Sequence, residues 1–142
     1  PVHHLRGHIA ANYISDEEIK PPFMSLVVSG GHSHIINVKD YTDFEIIGRT
    51  RDDAAGEAMD KAARTVGLPY PGGVNLDKIA TTADNKKYPL PYPKVSTGKY
   101  DFSFSGLKTA VLNLVHNAKQ KGEEIDVPVV CATVRQRVCD ML

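Results

Sequence analysis

The stretch Phe23-Met24-Ser25-Leu26-Val27-Val28-Ser29-Gly30-Gly31-His32-Ser33-His34-Ile35-Ile36-Asn37-Val38-Lys39 decides how this chain is read. Pro21-Pro22 punctuates the chain just before it. Phe23 to Ser29 then reads as a strand, Gly30-Gly31 as a turn, and Ser33 to Lys39 as the hairpin partner. Glu45 to Arg51 supplies a third strand, and three neighbours this short imply a mostly antiparallel sheet edge. Working outward, a short helix is expected around Leu5 to Tyr13. Beyond Ala54 the period changes, and Ala58, Ala62, Ala63 and Val66 place small and apolar side chains on one helical face. Gly67 ends that helix, and Pro69 and Pro71 keep it ended. Asn75 to Thr82 forms another helix. Residues 84–101, proline-rich and polar from Lys86 to Tyr100, carry no periodic core pattern, as functional or mobile loops do. Ser105 is placed to cap a helix whose Leu107, Ala110, Val111, Leu114 and Val115 form an apolar stripe. A last helix from about Pro128 to Leu142 carries Val130, Val134, Val138 and Leu142.

With 142 residues and 42% hydrophobic composition the chain is long enough for one buried core. Its 17 basic and 17 acidic residues cancel. Balanced charge does not exclude a nucleic-acid partner, but it offers no broad electrostatic footprint for one. Cys131 and Cys139, eight apart on a helix, resemble neither a zinc knuckle nor a redox pair, and reduced thiols are expected. No run of eighteen apolar residues and no basic leader is present, so neither membrane insertion nor secretion is indicated and a cytoplasmic location is expected. The chain starts without methionine and stops on Met141-Leu142 inside a helical pattern. A piece of a longer protein, cut at both ends, is the expectation. Cut sheet edges and helix faces would favour self-association of the piece.

Three features bear on chemistry. His4 and His8 lie one above the other on a helix and can reach a single cation of zinc or iron type; surface or packing histidines are the alternative, and His3 adds an ambiguity of register. Leu5 stands where the zincin pattern places its glutamate, so that metallopeptidase arrangement is absent. Ser29-Gly30-Gly31 can expose successive backbone amides as a nest for phosphate or carboxylate, or can be a plain hairpin turn. Asp52-Asp53-Ala54-Ala55-Gly56-Glu57 then puts three carboxylates at a strand-to-helix junction, more than a helix start requires. Asp60 and Asp77 straddle Tyr70-Pro71-Gly72-Gly73 and are suited to ribose hydroxyls, a solvated acidic face being the alternative. Lys61 can contact a phosphate or balance Asp60. Asp101-Phe102-Ser103-Phe104-Ser105-Gly106 suits an extended segment pinned by its rings, able to aim a helix amino terminus at a ligand.

Five ordered motifs add to this. His3-His4-Leu5-Arg6-Gly7-His8-Ile9-Ala10-Ala11, Val27 to His32, Asp52 to Lys61, Gly67-Leu68-Pro69-Tyr70-Pro71-Gly72-Gly73 and Phe102-Ser103-Phe104-Ser105-Gly106-Leu107-Lys108 closely resemble the tRNA threonylcarbamoyladenosine transferase family, formerly known as O-sialoglycoprotein endopeptidase or glycoprotease. The resemblance runs over the whole chain, which corresponds to the middle of such a protein. It implies an α/β fold of the actin-like, Hsp70-like ATPase (ribonuclease H-like) type, a mixed sheet with flanking helices. Residues 1–20 would end the first lobe, and residues 21–142 would form an incomplete second lobe. It implies transfer of a threonylcarbamoyl group from threonylcarbamoyl-adenylate to N6 of adenosine 37 in tRNA, with partner subunits of a multi-protein complex.

The resemblance further implies one divalent metal, iron or zinc, on His4 and His8, with an aspartate ligand beyond Leu142. Val27, Val28, Ser29, Gly30 and Gly31 would form the loop beside adenylate and metal. Asp60, Gly73 and Asp77 would contact the nucleotide, joined by an asparagine further downstream. Glu57 is the candidate for an electrostatic or proton-relay role. Ser33 and Met59 are mild departures, at positions where threonine and an aromatic are common. A metallopeptidase and a non-enzymatic actin-like interaction module are the competing readings.

Overall fold

The computed structural model describes residues 3–84, 88–93, 95 and 98–142. Strands β1 (Phe23–Val28), β2 (Ser33–Val38) and β3 (Phe44–Arg49) form an antiparallel meander in the order β1-β2-β3. Around them are α1 (His4–Ser15), α2 (Ala55–Thr65), α3 (Gly72–Ala80), α4 (Ser105–Lys121) and α5 (Val127–Met141). The period-two alternation of the strands divides the core between the two sheet faces. On one face Phe23, Val27, Ile36, Val38 and Phe44 gather around Ile9 of α1. On the other, Ile35 meets Ala55 and Ala58 of α2, Leu107 of α4 and Val138 of α5, with Phe102 and Phe104 between them. The sheet is thus the middle of three layers.

A third cluster lies mainly among the helices, where Ala62, Ala63, Leu76, Val111, Val130 and Val134 pack together. Small residues let α2 and α3 approach closely. A Cβ added at Gly72 would stand 2.9 Å from the Ala63 Cβ and 3.1 Å from the Asp60 Cα. Gly67 closes α2 with φ 84°, and Gly122 closes α4 with φ 69°, both in the left-handed region that glycine enters at least cost. At α5 the Asp126 carboxylate accepts the Val129 amide, and Pro128 occupies the first turn, where its missing N–H costs nothing.

Three expectations need correction. The sheet is not mixed across its strands: among the described residues, parallel pairing is confined to the single bridge between Thr50 and Phe102. Helix α3 begins at Gly72, three residues before Asn75, because the Asp60 carboxylate on α2 takes the Gly73 amide. Ser105 does not cap α4. Phe104 is the N-cap, and the Ser105 hydroxyl, one residue inside the helix, donates to Asp52.

Asp52 is the real cap of α4, supplied from 52 residues before Phe104. One oxygen accepts the Phe104 amide at 2.8 Å and the Ser105 amide at 3.1 Å, while the other accepts the hydroxyls of Ser103 and Ser105. The segment 84–101, which reads as a functional or mobile loop, is held down in its described parts. Leu90 is buried in the helical core, and Tyr92 carries the Arg137 guanidinium over its ring at 3.5 Å while donating to Asp140. Residues 85–87, 94, 96 and 97 of that loop lie outside the described residues.

The outer half of β1 is left bare. Met24, Leu26 and Val28 point to the same face as Ile35 yet are 56%, 50% and 40% exposed, because the helical layer covers β2 rather than β1. No helix among the described residues is long and apolar enough to cross a membrane.

Burial works against the charged form of Asp52, but the hydrogen bonds from Ser103, Ser105 and the two amides outweigh it and hold the carboxyl below its ordinary value. A depressed carboxyl contributes stability above its unfolded pKa and loses it as pH falls through the folded one. Asp52→Ala is therefore expected to lower the unfolding free energy by about 1–2 kcal/mol at neutral pH. In denaturant titrations the gap to wild type should stay open above pH ~4 and close as pH falls below it.

Candidate functional site

The glycine turn is fixed by two sets of hydrogen bonds. Within it, the Ser29 hydroxyl accepts the amides of Gly31 at 3.2 Å and His32 at 3.0 Å, and the Ser29 amide donates to the His32 carbonyl at 2.7 Å. Two of the amides expected to form an open nest are therefore already engaged, and only the Gly30 amide has no partner among the described residues. Across to α2, the Gly56 amide donates to the Ser29 carbonyl at 3.2 Å and the Ala55 amide to the Oγ of fully buried Ser33 at 3.0 Å. These bonds satisfy donors that the first turn of a helix leaves unpaired. The approach is so close that a Cβ on Gly56 would meet the Gly30 Cα and N at 2.9 Å.

Gly30 and Gly31 themselves are crowded by nothing. No atom lies within 4 Å of a Cβ added at either, and neither has a positive φ. What the absent side chains leave is open surface.

On one side of the turn lies a cleft of about 230 Å³ lined by His4, His8, Asn12, Val27, Ser29 and His32, among others. Leu5 and Ile9, both buried, hold α1 against the sheet so that His4 and His8 face this cleft. Their Nε2 atoms are 3.0 Å apart, with the rings edge-on at 84°. Two nitrogens ~2.0–2.1 Å from one cation at roughly 90–110° would be about 3.0–3.4 Å apart, so the pair fits a shared metal. His3 lines a different cavity with Arg6 and Phe44. His34 stands behind His32, ring centroids 5.6 Å apart, and is held toward its neutral form by burial and then by the charges of His32 and Arg49. Among the described residues no group of three or more histidine, cysteine or carboxylate side chains converges on a metal position.

On the other side lies a larger cleft, of about 680 Å³, between the turn, α2, α3 and α5. Val28 and Ser29 line both clefts. Gly30, Asp60, Gly73 and Asp77 line the larger one. Asp60 has one oxygen engaged with the Gly73 amide at 2.5 Å. Asp77 sits one helical turn beyond Gly73, 59% exposed, with the Arg135 guanidinium 3.5 Å away. Gly31 lines neither cleft.

Glu57 also lies outside both clefts. Lys61 bridges it at 2.9 Å to Asp53 at 2.6 Å, and the hydrogen bond from Lys61 holds the Glu57 carboxyl below its ordinary value. Lys61 balances Asp53 and Glu57 rather than Asp60. Cys131 is buried and Cys139 exposed, both free, and Cys139 lines the larger cleft. Sequence reading missed the whole α5 wall, Arg135, Val138, Cys139 and Leu142, together with Val74 and Lys78 on α3. Their only signal was helical spacing, which core packing explains equally well.

A cleft of this volume falls in the range of small-molecule sites. Joined through one turn to a histidine pair, it makes a candidate composite site in an α/β protein. The family model described as tRNA N6-adenosine threonylcarbamoyltransferase matches residues 1–142, and the chain belongs to that family. Relatives bearing the same description include those of Clostridium beijerinckii, 50% identical over 141 residues, Caldicellulosiruptor bescii, 51% identical, and Clostridioides difficile, 47% identical. Each alignment covers 99% of this chain but only 41–42% of the relative, so the chain spans about two-fifths of their length.

Because Gly56 has no space for a methyl group and Ala is otherwise the better helix former, Gly56→Ala separates the two effects. The clash should dominate, and the variant is expected to lose about 1–3 kcal/mol in equilibrium unfolding. A gain in stability would show that turn and helix are not pressed together.

Proposed function

We propose that the protein of which this chain is a part transfers a threonylcarbamoyl group from threonylcarbamoyl-adenylate to N6 of adenosine 37 in tRNA. The observation that carries this reading is the turn at Val28-Ser29-Gly30, which walls the histidine cleft on one side and the larger cleft on the other. A substrate lying in the larger cleft with its acyl phosphate against the turn would present its reacting carbonyl to the histidine cleft. The free Gly30 amide would donate to an oxygen of that phosphate or carbonyl, and the missing side chain there would allow the approach. The second oxygen of Asp60 and the exposed carboxylate of Asp77 would accept from ribose hydroxyls, while Gly73 keeps the α3 wall low.

His4 and His8 would hold one divalent metal, iron or zinc, with a further aspartate ligand from outside this chain. Such an ion supplies Lewis-acid stabilisation of the charge that develops as the amine attacks and the adenylate leaves. Glu57 acts through Lys61, fixing the acidic start of α2 next to the turn. The parent fold in this proposal is the two-lobed actin-like, Hsp70-like ATPase type, with residues 1–20 closing one lobe and residues 21–142 forming part of the other. The protein works in the cytoplasm with tRNA and partner subunits that supply the basic surface this neutral chain lacks. The isolated piece is inactive and self-associates through the bare face and open edge of β1.

The test is threonylcarbamoyl transfer by the full-length parent with its partner enzymes and unmodified tRNA. His4→Ala with His8→Ala should reduce product by on the order of 100-fold or more, with the fold retained. Wild-type parent giving no product would overturn the reading. Gly30→Ala should leave stability within about 0.5 kcal/mol, since its methyl meets no protein atom, while raising KM for the adenylate at least ~10-fold. An unchanged KM would remove the turn from the site.

A further inference from the structure

The larger cleft has a direction. Starting from the turn, Gly30 lies against Gly56; one turn further along α2 comes Asp60, bonded to Gly73; one turn further along α3 comes Asp77, beside Arg135. If the turn receives the phosphate end of a nucleotide and Asp60 its ribose, the base comes to lie between α3 and α5. That end of the cleft is built for a flat, largely apolar group. Arg135, Val138, Cys139 and Leu142 share one face of α5 by their spacing of three, four and seven, and Val74 faces them from α3.

We propose that Arg135 is a base-binding residue of this cleft, stacking its guanidinium plane on the adenine of the adenylate. The inference rests on the nucleotide reading given above. The Arg135 side chain is 36% exposed, and its only hydrogen-bonding contacts among the described residues are two long ones, 3.5 Å to Asp77 Oδ1 and 3.5 Å to the Ala80 carbonyl. Both involve the edge of the guanidinium, at its Nη1 and Nη2 atoms, and neither uses its face. Guanidinium planes stack on aromatic rings, whereas an ammonium is a compact point charge that does not. The pairing of Arg135 with Asp77 would hold the plane in place while Asp77 keeps an oxygen for the ribose.

The test uses the full-length parent and two probes, AMP and adenosine, titrated into wild type, Arg135→Ala and Arg135→Lys, with thermal unfolding as a control for folding. Stacking on the base predicts that Arg135→Ala weakens AMP and adenosine by the same factor, about tenfold, and that Arg135→Lys does not restore either. Loss confined to AMP would mean a phosphate contact and overturns the proposal. So does unchanged binding, and so does full rescue by lysine, which would reduce Arg135 to a charge that positions Asp77. Failure of the wild type to bind either probe would instead sink the nucleotide reading itself, and this inference with it.

Discussion

The contact on which the rest depends is the seating of the α2 amino terminus against the hairpin turn. Ala55 and Gly56 donate their amides to the buried Ser33 hydroxyl and the Ser29 carbonyl, and Gly56 lies against the backbone of Gly30 with no space for a side chain. This junction ties the sheet to the helical layer beside the clefts. The same junction is the partition between the histidine cleft and the larger one, so the distance from the His4–His8 pair to Asp60 is set by backbone hydrogen bonds and steric contact rather than by mobile side chains. Rigid elements hold a multi-part site more closely than loops do.

Most of the acidic cluster that follows turns out to serve structure. Asp52 caps α4, Asp53 and Glu57 clamp Lys61, and one oxygen of Asp60 starts α3. Among the described residues, the groups left facing the clefts are the Gly30 amide, the second oxygen of Asp60, exposed Asp77 with its long contact to Arg135, and the His4–His8 pair, whose nitrogens meet only each other. Each of these borders a cleft, and part of its hydrogen-bonding capacity is not used by the fold. A polar group left without a protein partner beside a cavity is where a ligand gains the most.

The sequence is most legible where structure is local. The change of period from two to 3.6 after Arg51 locates the hairpin, the third strand and α2, and Gly67 marks the end of α2 because its φ of 84° disfavours other residues. It misleads where a partner comes from far along the chain. Nothing near Ser105 reveals that Asp52, 53 residues earlier, takes over its capping, and nothing near Gly72 reveals that Asp60 draws α3 forward. Glu57 stands out in sequence for its place in an acidic run at a helix start; only the reach of Lys61 across two turns of α2 shows that it is paired and turned from both clefts. His3 leaves an ambiguity of register in the sequence until the buried Leu5 and Ile9 fix the rotation of α1. Arg135 is not visible in sequence at all, because α5 meets the turn only through the folded helical layer.

The central claim is that the two clefts are one composite site. It is tested most directly by phosphorus NMR of AMP bound to the full-length parent, loaded with manganese as a paramagnetic probe of the histidine pair. A composite site predicts strong broadening of the bound phosphate signal that disappears in His4→Ala while AMP remains bound. A sharp phosphate signal from bound AMP in the manganese-loaded wild type would contradict it, leaving two neighbouring cavities with no common chemistry.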